Sequence, residues 1–189
     1  MAKQQVWVLG NHAVSAVLDI NPERALSLWL TINPNSSSQK ALLEKAERFG
    51  IPIHPVDKNQ LEKRCNSKQT QGVALQARAK VDGSEKDLDA FMQTLSKQES
   101  KIPLFLILDQ VQDPHNFGAC LRTADAAGAD AVIVAKDNAS PMTPVVQKVA
   151  SGAAETMPIY RVTNLVRTIE SLKQQGVWVI GTSDKAKHS

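Results

Sequence analysis

The 189-residue sequence lacks any uninterrupted apolar run of the roughly 20 residues that a transmembrane helix needs. It also lacks a basic N-terminal segment followed by an apolar signal core: MAKQQVWVLGNHAV mixes polar and apolar residues, which argues against secretion. Cysteine is scarce. Cys65 and Cys120 are far apart and show no paired spacing, so they read as reduced thiols of a cytoplasmic protein. His12, His54, His115 and His188 form no metal-ligand pattern. No G-x-G-x-x-G follows a strand, and there is no Walker loop and no G-x-S-x-G turn. These absences weigh against dinucleotide, nucleoside-triphosphatase and serine-hydrolase chemistry.

Charge of one sign is also in short supply overall, at a net +3, but it is unevenly placed. Residues 1–80 hold 11 Lys/Arg against 6 Asp/Glu, residues 81–100 hold 2 against 5, and residues 101–189 hold 9 against 8. A basic first part joined to a near-neutral second part suits a phosphate-rich partner, although a solvated surface with chance asymmetry gives the same count.

What is present alternates strand and helix signals, which predicts an α/β protein. In the first part, VWVLG, LSLWLTI (Leu26–Ile32), IPIHPV and GVALQARA (Gly72–Ala79) read as strands, with the prolines placing IPIHPV at an edge. NHAVSAVLDI reads as a helix with Ala13, Val17 and Ile20 on one side. SQKALLEKAERFG reads as a second helix, with Ser38 a candidate cap and Gly50 the stop. NPNSSS is the turn between strand and helix. The charged run 81–101 marks a boundary. Its segment DLDAFMQTL forms one short amphipathic helix, either within a linker or as the first element of a second domain. We therefore divide the chain into residues 1–80, a linker 81–101, and residues 102–189. In the last part, Leu104–Asp109 and AVIVA are apolar without alternation, as in a parallel sheet covered on both faces. ETMPIYRV and VWVIGT supply a third and a fourth strand, and TPVVQKVASGAAE and NLVRTIESLKQQG supply helices, the first broken at Ser151-Gly152. Ligands on such sheets bind beyond the carboxyl ends of strands, where DPHN and GTSD fall.

One stretch does not look built for packing alone. DPHNFGACLRTADAAGADAVIV follows the strand LFLILD and launches a helix, expected over Phe117–Ala127, that carries Asn116 and a lone Arg122 among small residues. With KVASGAAETMPIYRVTNL and VWVIGTS it resembles the SpoU branch of the SPOUT RNA methyltransferases. GNHAVSAVL and QGVALQA are similar to that branch's substrate-binding domain. The N-x-G-x-x-x-R-x-A-x-A-x-G pattern is long and far more specific than a lone glycine motif.

The resemblance covers nearly the whole chain. It implies a small N-terminal domain with a ribosomal-protein-like fold that binds RNA, followed by a knotted, Rossmann-like SPOUT domain with a mainly parallel sheet. It implies transfer of a methyl group from S-adenosylmethionine to a ribose 2′-hydroxyl, with 23S rRNA the expected substrate, and action as a homodimer. A tRNA substrate, a catalytically silent RNA-binding protein, and a metabolic α/β enzyme with an unrelated small ligand are the rival readings. By the same resemblance Arg122 falls on the arginine assigned to the reactive ribose, and Asn116 on its active-site companion. Glu155 falls on the acidic position after the S-G-A segment, and Gly181 and Thr182 on the strand end bordering the cofactor.

Bland alternatives stand beside these roles. Asn116 suits a helix cap, Arg122 can pair with Asp125, Glu155 can pair with a nearby Lys or Arg, and Cys120 reads as a small core residue. Arginine, with a pKa above about 12, is a poor general base, so Arg122 is read as holding a phosphate oxygen or stabilising a developing alkoxide. Two departures from the family pattern are visible. Thr70 stands before Gln71-Gly72, where the family has His. The family's glycine-rich loop and S-L-N segment, which thread the knot, do not occur before the sequence ends at KAKHS; on the resemblance, a truncated SPOUT domain is expected.

Overall fold

The computed structural model describes residues 5–31, 37–97 and 102–182. Most of the NPNSSS turn and the final KAKHS lie outside the described residues.

The first part forms a four-stranded mixed sheet. Its strands are β1 (Gln5–Leu9), β2 (Ala25–Thr31), β3 (Ile53–Val56) and β4 (Val73–Arg78), in the order β1-β4-β2-β3. β4 runs antiparallel to both β1 and β2, while β3 lies parallel to β2 at the edge its prolines predict. One face is covered by α1 (Asn11–Ile20) and α2 (Ser37–Arg48). Val8, Leu28, Leu30, Val73 and Leu75 meet Val14, Val17 and Leu18 of α1 and Leu42 and Ala46 of α2 in one apolar core. Three details depart from the expectations. Ile20 sits on the exposed side of α1, because Val14 and Leu18 share the buried stripe with Val17. Ser38 lies inside α2, which starts at Ser37. GVALQARA, whose alternation suits a half-buried strand, forms β4, an interior strand in which Val73, Ala74, Leu75 and Ala77 are buried, since it has a partner on each side.

A further helix, α3 (Lys58–Cys65), has no apolar periodicity and was not expected. Asp57 caps it by accepting a hydrogen bond from the Gln60 amide at 2.8 Å, and its one buried side chain is Leu61.

The second part is an all-parallel sheet of β5 (Phe105–Leu108), β6 (Ala131–Ala135) and β7 (Ile159–Val162), in sequential order. α5 (Pro114–Ala126), α6 (Pro144–Ala150) and the short α7 (Ala153–Thr156) cover one face. α4 (Glu85–Leu95) and α8 (Leu165–Gln174) cover the other, through Leu88, Met92 and Leu172. α4 starts in a capping box in which Ser84 and Asp87 bond each other's backbone amides, which explains why so charged a run is helical. The expected fourth strand does not form. Val177–Thr182 leaves α8 without pairing to any described strand, and Trp178 and Ile180 are 95% and 88% exposed. An apolar β-prone run needs a ladder neighbour to become a strand, and no described residue provides one.

Charged groups tie the first part and the connection to the second part. Arg24 of the first part reaches Glu155 at 2.7 Å, and Asp82 of the connection pairs with Arg161 at 2.6 Å, while within the second part Glu85 of α4 pairs with Arg167 at 3.1 Å. The Lys80 ammonium donates to the carbonyls of Ala154, Glu155 and Met157 at 2.8–3.0 Å. Gly83 bridges to Tyr160, giving its amide to Ile159 and taking that of Arg161. A Cβ on Gly83 would stand 2.5 Å from the Tyr160 ring, so this approach requires glycine.

Burial is the main reason the Lys80 pKa falls from 10.5 to about 8; Glu155 works against that fall, and Arg24 adds to it. The folded value lies below the unfolded one. Between about pH 8 and 10.5 the unfolded chain therefore holds a proton that the folded chain does not, and stability rises with pH across that window. Urea unfolding at pH 7 and pH 10 is expected to show the parent gaining on the order of 1–3 kcal/mol relative to Lys80→Met, after allowance for solvent reaching a half-buried side chain. A pH-independent difference would show that Lys80 is not desolvated.

Candidate active site

The site is built on the turn between β5 and α5. The backbone leaves β5, passes Gln110 at φ 54°, and enters the helix at Asp113-Pro114. Proline at the first helical position loses no hydrogen bond, and the Asp113 carboxylate accepts from the Asn116 amide at 2.8 Å. The cap is thus Asp113, not Asn116, and the helix begins three residues before Phe117. Asn116 lies in the first turn, exposed, and its side-chain amide takes no part in capping.

The small residues that follow have a packing reason. Phe117, Gly118, Leu121 and Ala124 form the buried face of α5. A Cβ on Gly118 would stand 2.7 Å from Val149 Cβ and 3.0 Å from the Val146 carbonyl oxygen, so glycine is what lets α6 lie close. Cys120 packs against this core, and burial raises its thiol pKa, consistent with a packing role. The opposite face carries His115, Asn116 and Arg122, all exposed, and Asp125 lies exposed at the rim of the packed face.

Arg122 makes no ion pair with Asp125. That carboxylate accepts a hydrogen bond from the Thr156 hydroxyl at 2.7 Å and so ties α5 to α7. Among the described residues no hydrogen bond or ion pair holds the Arg122 guanidinium, leaving its fork of donors open to an outside acceptor. Six helical residues put Asn116 and Arg122 roughly 9 Å apart along the axis and about 120° around it. A long side chain leaning toward the helix N-terminus shortens that gap.

Glu155 is placed differently. It is 5% exposed, in α7, and its carboxylate takes the Arg24 guanidinium at 2.7 Å. Arg24 also donates from Nε to the Arg78 carbonyl at 3.0 Å, while its Nη2 is buried without a partner. The structure therefore brings Glu155 together with Arg24 and Lys80 from the first part. It does not bring it to open solvent beside Arg122. Arg24 and Lys80 were missed from sequence, because neither lies in a periodic or motif context; only the break of α6 from α7 at Ser151, with φ 53°, marks the place.

Gly181 and Thr182 are exposed at the end of the unpaired Val177–Thr182 segment. A Cβ on Gly181 would meet nothing within 4 Å. The described residues form no cradle there for an adenosyl group. Thr70, the departure from the family pattern, is 1% exposed, and its hydroxyl accepts from the Gly72 amide at 3.3 Å. Beside it Gln71 accepts from the Asn11 amide at 3.3 Å. Thr70 therefore shapes the turn from within.

Comparison with known proteins places these features. Residues 103–189 match the SpoU rRNA Methylase family, and residues 7–81 match the family described as RNA 2′-O ribose methyltransferase substrate binding. The chain is 44% identical over 184 residues to the 23S rRNA (guanosine-2′-O-)-methyltransferase RlmB of Shewanella oneidensis, covering 97% of this chain and 73% of that protein. It is 43% identical to the RlmB of Vibrio vulnificus, covering 96% and 72%. An AdoMet-bound rRNA methyltransferase from Sinorhizobium meliloti has the same fold at a TM-score of 0.64 and 19% identity, over 89% of this chain and 58% of that one. The SpoU methyltransferase AviRb from Streptomyces viridochromogenes, in complex with AdoMet, gives 0.63 at 18% identity, over 91% and 59%. The chain thus spans about three-fifths of those solved chains and under three-quarters of its curated relatives. A capped turn that frees one face of α5, a glycine that closes the other face, and sequence kinship over almost every residue agree: this chain belongs to the SpoU rRNA methylase family.

Proposed function

We propose that the chain serves in S-adenosylmethionine-dependent methylation of a guanosine ribose 2′-hydroxyl in 23S rRNA, with residues 1–80 contacting the RNA and residues 102–189 the reacting ribose. The observation that carries this reading is the exposed face of α5, where Asn116 and Arg122 stand without protein partners among the described residues. It is supported by the kinship to curated RlmB proteins over 97% of the chain.

When bound, S-adenosylmethionine supplies the methyl group; Gly181 and Thr182 are assigned to its border. Arg122 supplies a fixed positive charge where the 2′-oxygen becomes negative, and Asn116 supplies a neutral donor and acceptor that orients the ribose. Alignment of hydroxyl and methyl provides much of the remaining acceleration. Glu155 acts through Arg24 and Lys80, keeping α7 in place behind α5. The acting form is a homodimer, and an rRNA substrate places it in the cytoplasm.

The test is transfer of radiolabelled methyl to 23S rRNA lacking the modification, followed by mapping of the 2′-O-methylated nucleotide. It is run with the 189-residue chain and with a longer form in which the family's glycine-rich loop and S-L-N segment follow Ser189. A methylated guanosine ribose is expected from at least the longer form. Methylation of tRNA alone, or RNA binding with no transfer by either form, would overturn the assignment.

A further inference from the structure

We propose that the sheet face opposite α1 and α2 is a stacking platform for unpaired bases of single-stranded RNA, centred on Trp29 with His54 and Arg64. The proposal rests on the RNA-directed reading above and gives it a specific place.

Side chains alternate across a strand, so while Leu28 and Leu30 enter the core, Trp29 projects to the other face. The registers align Trp29 with Ala74 on one side and His54 on the other, and align Trp7 with Gln76. The His54 ring stacks on the indole at 4.3 Å between centroids and 22° between planes. The Arg64 guanidinium, delivered by α3, lies 4.2 Å from the Trp29 ring centroid, and Trp7 meets Trp29 edge-on at 6.0 Å. Aromatic and guanidinium planes in such contact are what unpaired bases stack on.

The polar needs of this face are met from within. Trp29 Nε1 donates to the Ser27 hydroxyl at 2.9 Å, Ser27 to Gln76 Oε1 at 3.2 Å, and Gln76 Nε2 to Gln5 Oε1 at 2.9 Å. What the cluster has left to offer is π surface and positive charge. His54 and Arg64 are exposed, and Trp7 and Trp29 are half-buried. A packing cluster would bury its outer members, and here they face water.

The surroundings fit a nucleotide. A cavity of about 460 Å³ lies against the stack, lined by Trp29, Val56, Gln60, Lys63 and Arg64, with two cations and no carboxylate. Lys63 also lines a neighbouring cavity of about 430 Å³ beyond α3, where Glu62 stands, so the carboxylate-free cavity is the one assigned to a phosphate. Volumes of this size hold small planar ligands. Lys63 is assigned to the phosphate, and the His54–Trp29–Arg64 group to the base. Bases within a duplex are already stacked and hidden, so the platform selects single strands. The whole cluster lies within residues 7–81, the part related to substrate-binding domains.

The experiment measures binding of the 189-residue chain to a short single-stranded RNA and to an oligomer of equal length with abasic sites, which keeps the phosphates and loses the bases. The parent is expected to prefer the base-bearing strand on the order of tenfold. Arg64→Lys, which keeps charge and loses the plane, and His54→Ala are expected to erase most of that preference while affinity for the abasic oligomer holds. Both side chains are exposed, so thermal midpoints should stay near the parent's; Trp29→Phe, which keeps a ring, should retain the preference. Equal binding of both oligomers by the parent, or an unchanged preference in Arg64→Lys and His54→Ala, would overturn the proposal. The methyl-transfer reading fails separately: base preference without any methyl transfer would sink that reading and leave the platform standing.

Discussion

Arg122→Ala is expected to slow methyl transfer by roughly 10²–10⁴-fold while leaving affinity for S-adenosylmethionine within a few-fold of the parent. The size follows from where the charge sits. Arg122 is exposed on the face of α5 that takes no part in packing, and no described residue holds its guanidinium. Removing it leaves the Phe117–Leu121–Ala124 core intact and takes away only an exposed charge, the one proposed to face the reacting ribose. On the proposed assignment of the cofactor to the Gly181–Thr182 border, the change is expected to take little from its binding. Single-turnover rates and equilibrium dialysis, in whichever chain length the methylation assay finds active, separate the two effects. Arg122→Lys keeps the charge but not the planar fork. Near-parental rates in that variant would point to charge alone, and a loss as large as with alanine would point to bidentate geometry. An alanine variant within a few-fold of the parent would remove Arg122 from the chemistry altogether.

Arg24→Ala is expected to cost about 3–5 kcal/mol of stability, far more than a surface ion pair would. The cause is the partner left behind. Glu155 is 5% exposed, and without Arg24 its carboxylate would keep only the less intimate field of Lys80, whose ammonium bonds backbone carbonyls instead. Glu155→Gln in the same chain should recover a good part of the loss, because a neutral amide is easier to bury than an unpaired carboxylate. Urea unfolding of the two single variants and the double variant closes this cycle. Additive losses would show that the two side chains do not act as a pair. The same set tests catalysis: if Glu155 acts only by positioning α7, then the double variant, once folded, should keep most of its methyl-transfer rate.

Much of this architecture was legible in the chain because its signals are local. Apolar β5 and β6 read as strands covered on both faces, ETMPIYRV read as a third strand, and Ser151-Gly152 read as a break between helices. Asn116 and Arg122 were found through a motif, and the structure adds that one face of α5 is free. What could not be read depends on partners distant in sequence. The Glu155–Arg24 contact spans 131 positions, and no periodicity announces it. α3 was missed because its helix is stabilised by one cap and one buried leucine and not by an amphipathic stripe. Val177–Thr182 has strand composition, yet composition alone gives no ladder. Trp29, His54 and Arg64 drew no attention for a related reason. They come from two strands and a helix, and only the register brings them into one stack.

The bridge between Gly83 and Tyr160 also decides where the second sheet can grow. Gly83 takes the Ile159 carbonyl and the Arg161 amide on the outward edge of β7, two of the backbone groups that a further strand would need. That edge is sealed by the chain itself, as protected edges are in proteins that resist edge-to-edge association. Any additional strand must therefore enter beside β5, where Ile102 and Leu104 are exposed at the strand's approach. Extension of this sheet is consequently one-sided, and a glycine that precedes the sheet by some twenty residues fixes the side.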